Sequence, residues 1–356
     1  MKKLLTVLLI LAMVLSMSAC GKKEEPTPEV TTYEIAMVTD VGQLMDGSFN
    51  QYTWKGCEDY AKANGKTYKY YQPANGSAAT DDDRIAAMKA AIEGGAKAIV
   101  TPGFLQENAL KAVVADNPDV QFIFIDGWDM GYKNLVGVSY QEEQAGFFAG
   151  YAAVMEGYTK LGFSGGGGGS NPACIRYGYG FAQGANEAAK AKGINVDLNY
   201  SWLNGASFSA SDDLQSQING WFTSGTEVCF MCGGTMFNSG VGAASVTNGK
   251  IIGVDVDQSV GYEDIVITSA MKGLDASVVA ALTKYYNEGT YGGSLVLGAK
   301  DDAVGLPVNN WLLKKWSVED YNALFAKVVA NEVPISNESV ADPTGKLSNV
   351  KVNYIG

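Results

Sequence analysis

The chain has 356 residues, 47% of them hydrophobic and 18% charged, with a formal net charge of -12 and no histidine. That length suits two globular domains of roughly 100–200 residues each. The acidic balance argues against a nucleic-acid partner, which needs a basic face. The missing histidine removes Ser-His-Asp and Cys-His nucleophile systems together with the commonest metal ligand.

The first twenty residues predict an address. Lys2 and Lys3 precede an apolar run from Leu4 to Leu15 and a small-residue ending, Ser16-Met17-Ser18-Ala19-Cys20. This reads as a secretory leader, too short to span a membrane, and its ending resembles a bacterial lipobox. By that resemblance residues 1–19 are a signal peptide, and Cys20 is the lipidated first residue of a mature chain held outside the cytoplasmic membrane. Residues 20–32, with two prolines and mixed charge, read as a disordered tether. Of the other cysteines, Cys229 and Cys232 have C-x-x-C spacing. They sit in a strand-like apolar run with no histidine or second pair to complete a zinc site, so buried thiols and no metal are expected.

From Tyr33 short apolar runs alternate with helical stretches, the mark of parallel βαβ units. Strands are predicted over 34–38, 68–72, 98–101, 122–125 and 135–139. Helices are predicted over 49–63, 84–93 and 107–115, with one more running into Met155. At Lys160 the scheme restarts with a strand, the glycine run 165–169, and a helix over 175–192 closed by Gly193. The first helix of each half ends similarly, in AKANG and AKAKG, which predicts two lobes of one architecture. Strands follow over 196–202, 227–232, 251–254 and 265–269, then an apolar run over 294–298. Helices fall over 209–222, 240–247, 276–287 and 318–329, and the tail from Asn331 reads as irregular. The expected division is 33–155 with 270–302 in the N-terminal lobe, and 156–269 with 303–356 in the C-terminal lobe.

Several strands end on polar residues: Asp40, Asp126, Gly233-Gly234-Thr235 and Asp255. In open α/β sheets ligands bind outside the carboxyl ends of strands, so these ends predict a cleft between the lobes. Each aspartate alone is as easily a turn or cap residue. Around Asp40, the stretch Val38–Gln51 adds an aromatic face, Phe49, and a carboxamide, Asn50, suited to a flat hydrogen-bonding ring. Lys272 follows a strand; facing the cleft, it could donate to ligand hydroxyls while Asp255 accepts from them, a pair that suits a vicinal diol. Ring plus diol points to a nucleoside. The glycine run lacks the Gly-Lys-Ser/Thr of a phosphate loop and reads as a close-approach loop lining the cleft. Asp81-Asp82-Asp83 is the one run an enzyme could use, and at a helix start it reads as capping.

VTDVG and DGSFNQ within Val38–Gln51, FIFID at Phe122–Asp126, YQEEQAGFFAG at Tyr140–Gly150, CGGT at Cys232–Thr235, IIGVDVDQS at Ile251–Ser259 and TSAMK at Thr268–Lys272 lie in order along the chain. On these motifs the sequence resembles the basic membrane protein family of bacterial ABC-importer lipoproteins, whose best-known branch is the purine nucleoside receptors. The resemblance implies a type I periplasmic-binding fold, with two Rossmann-like lobes on a three-stranded hinge. It also implies a monomeric receptor that hands a nucleoside to an ABC permease, without catalysis or cofactor. Carried across, it assigns the base to Asp40, Phe49 and Asn50, the ribose to Asp126, Asp255 and Lys272, and a lining role to Gly233. The second stacking position falls at Phe230 or Met231, and Met231 is taken into the site set. The alternatives are a sugar or other small-metabolite receptor on the same fold, which would want aromatic platforms such as Trp128 or Trp202 in the pocket, and a nucleoside hydrolase.

Overall fold

The computed structural model describes residues 32–41 and 43–356. The leader and tether expected over residues 1–31, with Cys20, lie outside the described residues. The chain divides into the units Met1–Thr32 and Tyr33–Gly356, and every described helix and strand lies in the second.

The first sheet is wholly parallel. It runs β2 (Tyr68–Tyr71), β1 (Ile35–Val38), β3 (Ala98–Pro102), β4 (Gln121–Ile125), β5 (Leu135–Tyr140) and β11 (Gly293–Leu297). The second runs β13 (Val350–Ile355), β7 (Val196–Ser201), β6 (Lys160–Gly165), β8 (Val228–Cys232), β9 (Lys250–Asp255), β10 (Val266–Lys272) and β12 (Val304–Gly305). Among the described residues only β12 is antiparallel to its neighbour. The two sheets share one winding order, 2-1-3-4-5 against 7-6-8-9-10, so equivalent strand ends in the two lobes come from equivalent steps of the chain. The fold is the type I periplasmic-binding architecture expected. Central strands such as β1, β3 and β4 are buried along their whole length, as strands covered on both faces must be, and that is why they read as continuous apolar runs.

The chain passes from the first sheet to the second after β5, back after β10, and across again between β11 and β12. Helix α4 (Glu142–Glu156) follows the first crossing and packs along α5 (Pro172–Lys192), the helix after β6. Glycines make that contact close: a Cβ on Gly150 would stand 2.0 Å from the Phe181 carbonyl oxygen, and one on Gly184 would stand 1.9 Å from that of Phe147. α4 also touches β10 and β12 of the second sheet. At the start of α5, Asn171 accepts the Cys174 N–H at 2.9 Å and Pro172 takes the first position; Gly193 ends the helix at φ 65°. Pro early and Gly after the end is the usual asymmetry of helix ends.

The tail is not irregular throughout. Its last segment, VKVNYI, forms β13, parallel to β7 from Val350↔Val196 to Ile355↔Ser201. Two upstream prolines obscured a run that offers one sheet edge a partner. Asp81–Asp83 open α2 (Asp81–Glu93), with Thr80 and Asp83 in a reciprocal capping box, so these acids serve the helix end. Cys57, Cys174, Cys229 and Cys232 are free and buried, and burial raises the thiol pKa of Cys57, Cys229 and Cys232.

Candidate functional site: a cleft built from strand ends

A cavity of about 600 Å³ lies where strand ends of the two sheets face each other. Every ligand-binding position read from the sequence except Met231 lines it: Asp40, Phe49, Asn50, Asp126, Gly233, Asp255 and Lys272.

At the first-lobe corner, β1 stops and the chain turns into α1 (Phe49–Ala63). Asp46 accepts backbone N–H groups from Ser48 at 2.9 Å, Asn50 at 3.0 Å and Gln51 at 3.2 Å, so it caps the helix from within the loop. Ser48, the apparent cap residue, makes no cap bond with its side chain. Its hydroxyl donates instead to Asp255 of the second lobe at 2.7 Å. The Asn50 amide is oriented by the backbone: Nδ2 donates to the Val41 carbonyl at 3.1 Å, and buried Oδ1 has no partner among the described residues.

Asp40 Oδ1 accepts the Val41 N–H at 2.5 Å. Burial pushes the carboxyl up to about 7, against the Val41 hydrogen bond and the Arg84 charge. Its other oxygen lies against Gly103, where an added Cβ would stand 1.8 Å from Oδ2 and φ is +96°. Only glycine fits there.

At the other end Asp126 and Asp255 close equivalent strands, β4 and β9. Both take left-handed backbone angles, φ 56° and 67°, costly for a residue with a Cβ and concentrated at functional sites. They converge on Lys272, the last residue of β10 and 5% exposed. Its Nζ is 2.8 and 2.7 Å from the two Asp126 oxygens, 3.5 Å from Glu142 Oε1 and 3.7 Å from Asp255 Oδ1. Glu142 also holds Arg176, at 2.6 Å. Burial alone would pull the ammonium down, but the three carboxylates hold it above its ordinary range. Burial likewise raises Asp255, and pushes Asp126 up to about 6 against the pull of Lys272. Phe49 joins the two ends, its ring centroid 4.9 Å from the ammonium, within cation–π reach.

The second lobe corrects two readings. Met231 faces away from the cavity, with its sulfur 3.6 Å from Cys229 Sγ and its side chain against Gly240 of α7 (Met236–Thr247). Neighbours along a strand point to opposite faces, and Cys232 holds the cavity side. Phe230, the other candidate, is buried against Phe163, Tyr177 and Phe181. One aromatic of this lobe that does reach the cavity is Phe208, from the loop between β7 and α6 (Asp212–Thr223). The glycine run does not line the cavity; it makes room for rings. A Cβ on Gly166 would stand 2.3 Å from Phe208 Cδ1, and one on Gly165 would stand 2.1 Å from Trp202 Cζ3. A glycine run followed some forty residues later by a lone Phe in a Ser/Ala loop held no periodic signal. Tyr177 on α5 was missed as well; it lines the cavity, and its buried hydroxyl has no partner among the described residues.

Residues 33–339 match the model of a family described as ABC transporter substrate-binding protein, PnrA-like. The chain belongs to this family. Curated relatives of this PnrA-like protein include a CD4+ T-cell-stimulating antigen of Listeria monocytogenes, 26% identical, covering 92% of this chain and 96% of the relative. Basic membrane protein A1 of Borrelia garinii is 28% identical over 95% of this chain and 98% of its own. An ABC transporter nucleoside-binding protein, BmpA, of Lactococcus lactis is 28% identical over 64% of this chain and 65% of its own. Among solved structures, solute-binding proteins of ABC transporter systems from Conexibacter woesei and Aeropyrum pernix share the fold. Their TM-scores are 0.67 and 0.65, at 20% and 22% identity, over 86% and 87% of this chain and 99% and 84% of theirs. As a substrate-binding protein of an ABC transporter, a PnrA-like chain has a ligand and a membrane permease as its partners.

Proposed function

We propose that the protein is a lipid-anchored receptor, attached through Cys20 to the outer side of the cytoplasmic membrane, that binds a purine nucleoside in the cleft. It delivers the nucleoside to an ABC permease, acts as a monomer and catalyses nothing. The observation that carries the reading is the lining of one cavity, which brings groups suited to a flat hydrogen-bonding ring, Phe49, Asn50 and Asp40, together with groups suited to a diol, Asp126, Asp255 and Lys272. The base stacks on Phe49, with Phe208 supplying the second aromatic face in place of Met231. The ribose hydroxyls donate to Asp126 and Asp255, which Lys272 keeps charged and in place. The nucleoside-binding name of the Lactococcus relative agrees with this assignment.

Ligand contacts drawn from both lobes shift an open–closed equilibrium toward the closed form. The Ser48–Asp255 hydrogen bond crosses the cleft and belongs to that form. A sugar receptor is less well supported, because neither tryptophan offers a platform. Trp128 packs on Phe124, and Trp202 donates its indole N–H to Ala341 at 2.8 Å. Calorimetric titration with adenosine, guanosine, inosine and uridine tests the proposal, with heat expected from the purine nucleosides. No heat from any of the four would end it, and competition by free ribose would favour the sugar alternative.

A further inference from the structure

Two hydrogen bonds join the lobes through Gly47, Ser48 and Gln258, which stand outside the cavity lining. Ser48 precedes α1 of the first lobe and is fully buried. A serine there usually gives its hydroxyl to the helix end. Asp46 takes that role instead, accepting the N–H groups of Ser48, Asn50 and Gln51, and the Ser48 hydroxyl is released to Asp255 Oδ2 at 2.7 Å. Gln258, in the loop after β9 of the second lobe, reaches the other way. Its Oε1 accepts the Val254 N–H at 2.9 Å, which fixes the amide and leaves Nε2 to donate to the Gly47 carbonyl at 3.4 Å. Ser269 accepts the Gln258 N–H at 3.1 Å and holds the backbone in place.

Parting the lobes breaks both bonds. The Ser48 hydroxyl meets a carboxylate, which makes its bond the stronger, and the 3.4 Å separation marks the Gln258 contact as the weaker. In the closed form Asp255 is buried, so deleting the Ser48 hydroxyl leaves one carboxylate oxygen short of a donor that water supplies once the cleft opens. The cost therefore falls on the closed form. Resting on the receptor reading above, though not on which ligand fills the cleft, we infer that Ser48 and Gln258 are positioning residues for ligand capture. They form a reciprocal latch that sets how far the lobes favour closure, and they do so without touching the ligand.

The latch shuts where the ligand groups of the two lobes meet. Ser48 is continuous with Phe49 and Asn50, which line the cavity, and its acceptor Asp255 lines it from the second lobe. A ligand gripped by both lobes binds the closed form, so its apparent dissociation constant is the intrinsic constant divided by the closed fraction. A residue that acts on that fraction alone changes the affinity of every ligand by one factor. A residue that touches the ligand changes the ratios between ligands.

The test uses Ser48→Ala, which deletes one donor, and Gln258→Glu, which keeps an acceptor for Val254 but sets a second oxygen against the Gly47 carbonyl. Calorimetry with adenosine, guanosine and inosine should show affinity reduced roughly tenfold in Ser48→Ala, by the same factor for each nucleoside. Gln258→Glu should likewise lower all three by one factor. A smaller loss fits only if the radius of gyration of the ligand-free variant, from small-angle scattering, exceeds the parent's, because closure was then favoured before ligand arrived. Unchanged affinity with unchanged radius in both variants overturns the inference. So does a loss that differs severalfold between nucleosides, which would make these residues ligand contacts. Should Ser48→Ala fail to fold by circular dichroism, Gln258→Glu gives the same two readouts. Absence of binding by the unaltered protein ends the nucleoside reading, and the radius then decides the latch alone: an unchanged value in both variants overturns it.

Discussion

Replacing Lys272 by methionine keeps a long apolar side chain and deletes its charge. The ammonium now stands among Asp126, Glu142 and Asp255. After the substitution Glu142 keeps Arg176, and Asp255 keeps the Ser48 hydroxyl. Asp126 loses most, because Lys272 supplies both of its side-chain hydrogen bonds. Removing one partner of a buried pair costs roughly 3–5 kcal/mol, since the other is left charged and unpaired. With an unfolding entropy of about 2.1 cal/mol/K per residue, a folded unit of this size loses roughly 5 °C in Tm. The loss should carry a pH signature. Lys272 is held above its ordinary range and stays charged throughout, so the dependence belongs to Asp126, which titrates at about 6. Below about pH 5 that carboxyl is neutral with or without Lys272, and most of the penalty disappears; above about pH 6 it grows by about 1.4 kcal/mol per pH unit, so that it is plain by about pH 8. Thermal unfolding of the ligand-free proteins at these two pH values decides the matter. A Tm drop equal at both, or absent at both, would refute the reasoning.

Phe49→Ala and Phe208→Ala should each weaken purine nucleoside binding by roughly 1–3 kcal/mol while the circular dichroism spectrum stays unchanged; unaltered affinity in Phe49→Ala breaks the base assignment. Asp40 and Asp126 have folded pKa values raised from 3.8 to about 7 and about 6. The stability they contribute is complete below about pH 4 and lost as pH rises through those values. The ligand-free protein should therefore melt higher at about pH 5 than at about pH 8. Asp40→Asn should remove part of that slope, about 1.4 kcal/mol for each pH unit that separates the folded from the unfolded pKa; a mutant slope as steep as the parent's counts against it. Gly150→Ala drives a methyl into the Phe181 carbonyl, 2.0 Å away, and should cost about 1–3 kcal/mol by forcing α4 and α5 apart. A Tm within a degree of the parent protein's would mean that those helices yield freely.

The parts legible in advance were those whose signal is local. The helices Phe49–Ala63 and Val318–Val329 fall where their apolar spacing put them. The βαβ alternation was enough for the fold, because a buried parallel strand is a continuous apolar run whatever it pairs with. Strand ends carrying Asp40, Asp126 and Asp255 could be picked out because a carboxylate closing an apolar run is conspicuous. The short edge pieces Val304–Gly305 and Val350–Ile355 went unseen, since their stability comes from the strand beside them.

The sequence alone determined the two-lobed α/β class and which polar residues stand at strand ends, since both depend on chain-local pattern. Tertiary structure decided how those residues are used. It turned Ser48 from a cap into a bond across the cleft, set Met231 on the far face of its strand, and brought Phe208 over a glycine run to the cavity. It also buried Lys272 among Asp126, Glu142 and Asp255. The reason is physical: facing along a strand alternates every residue, and a contact between residues 146 or 207 positions apart, as in Lys272–Asp126 and Ser48–Asp255, leaves no trace in local spacing.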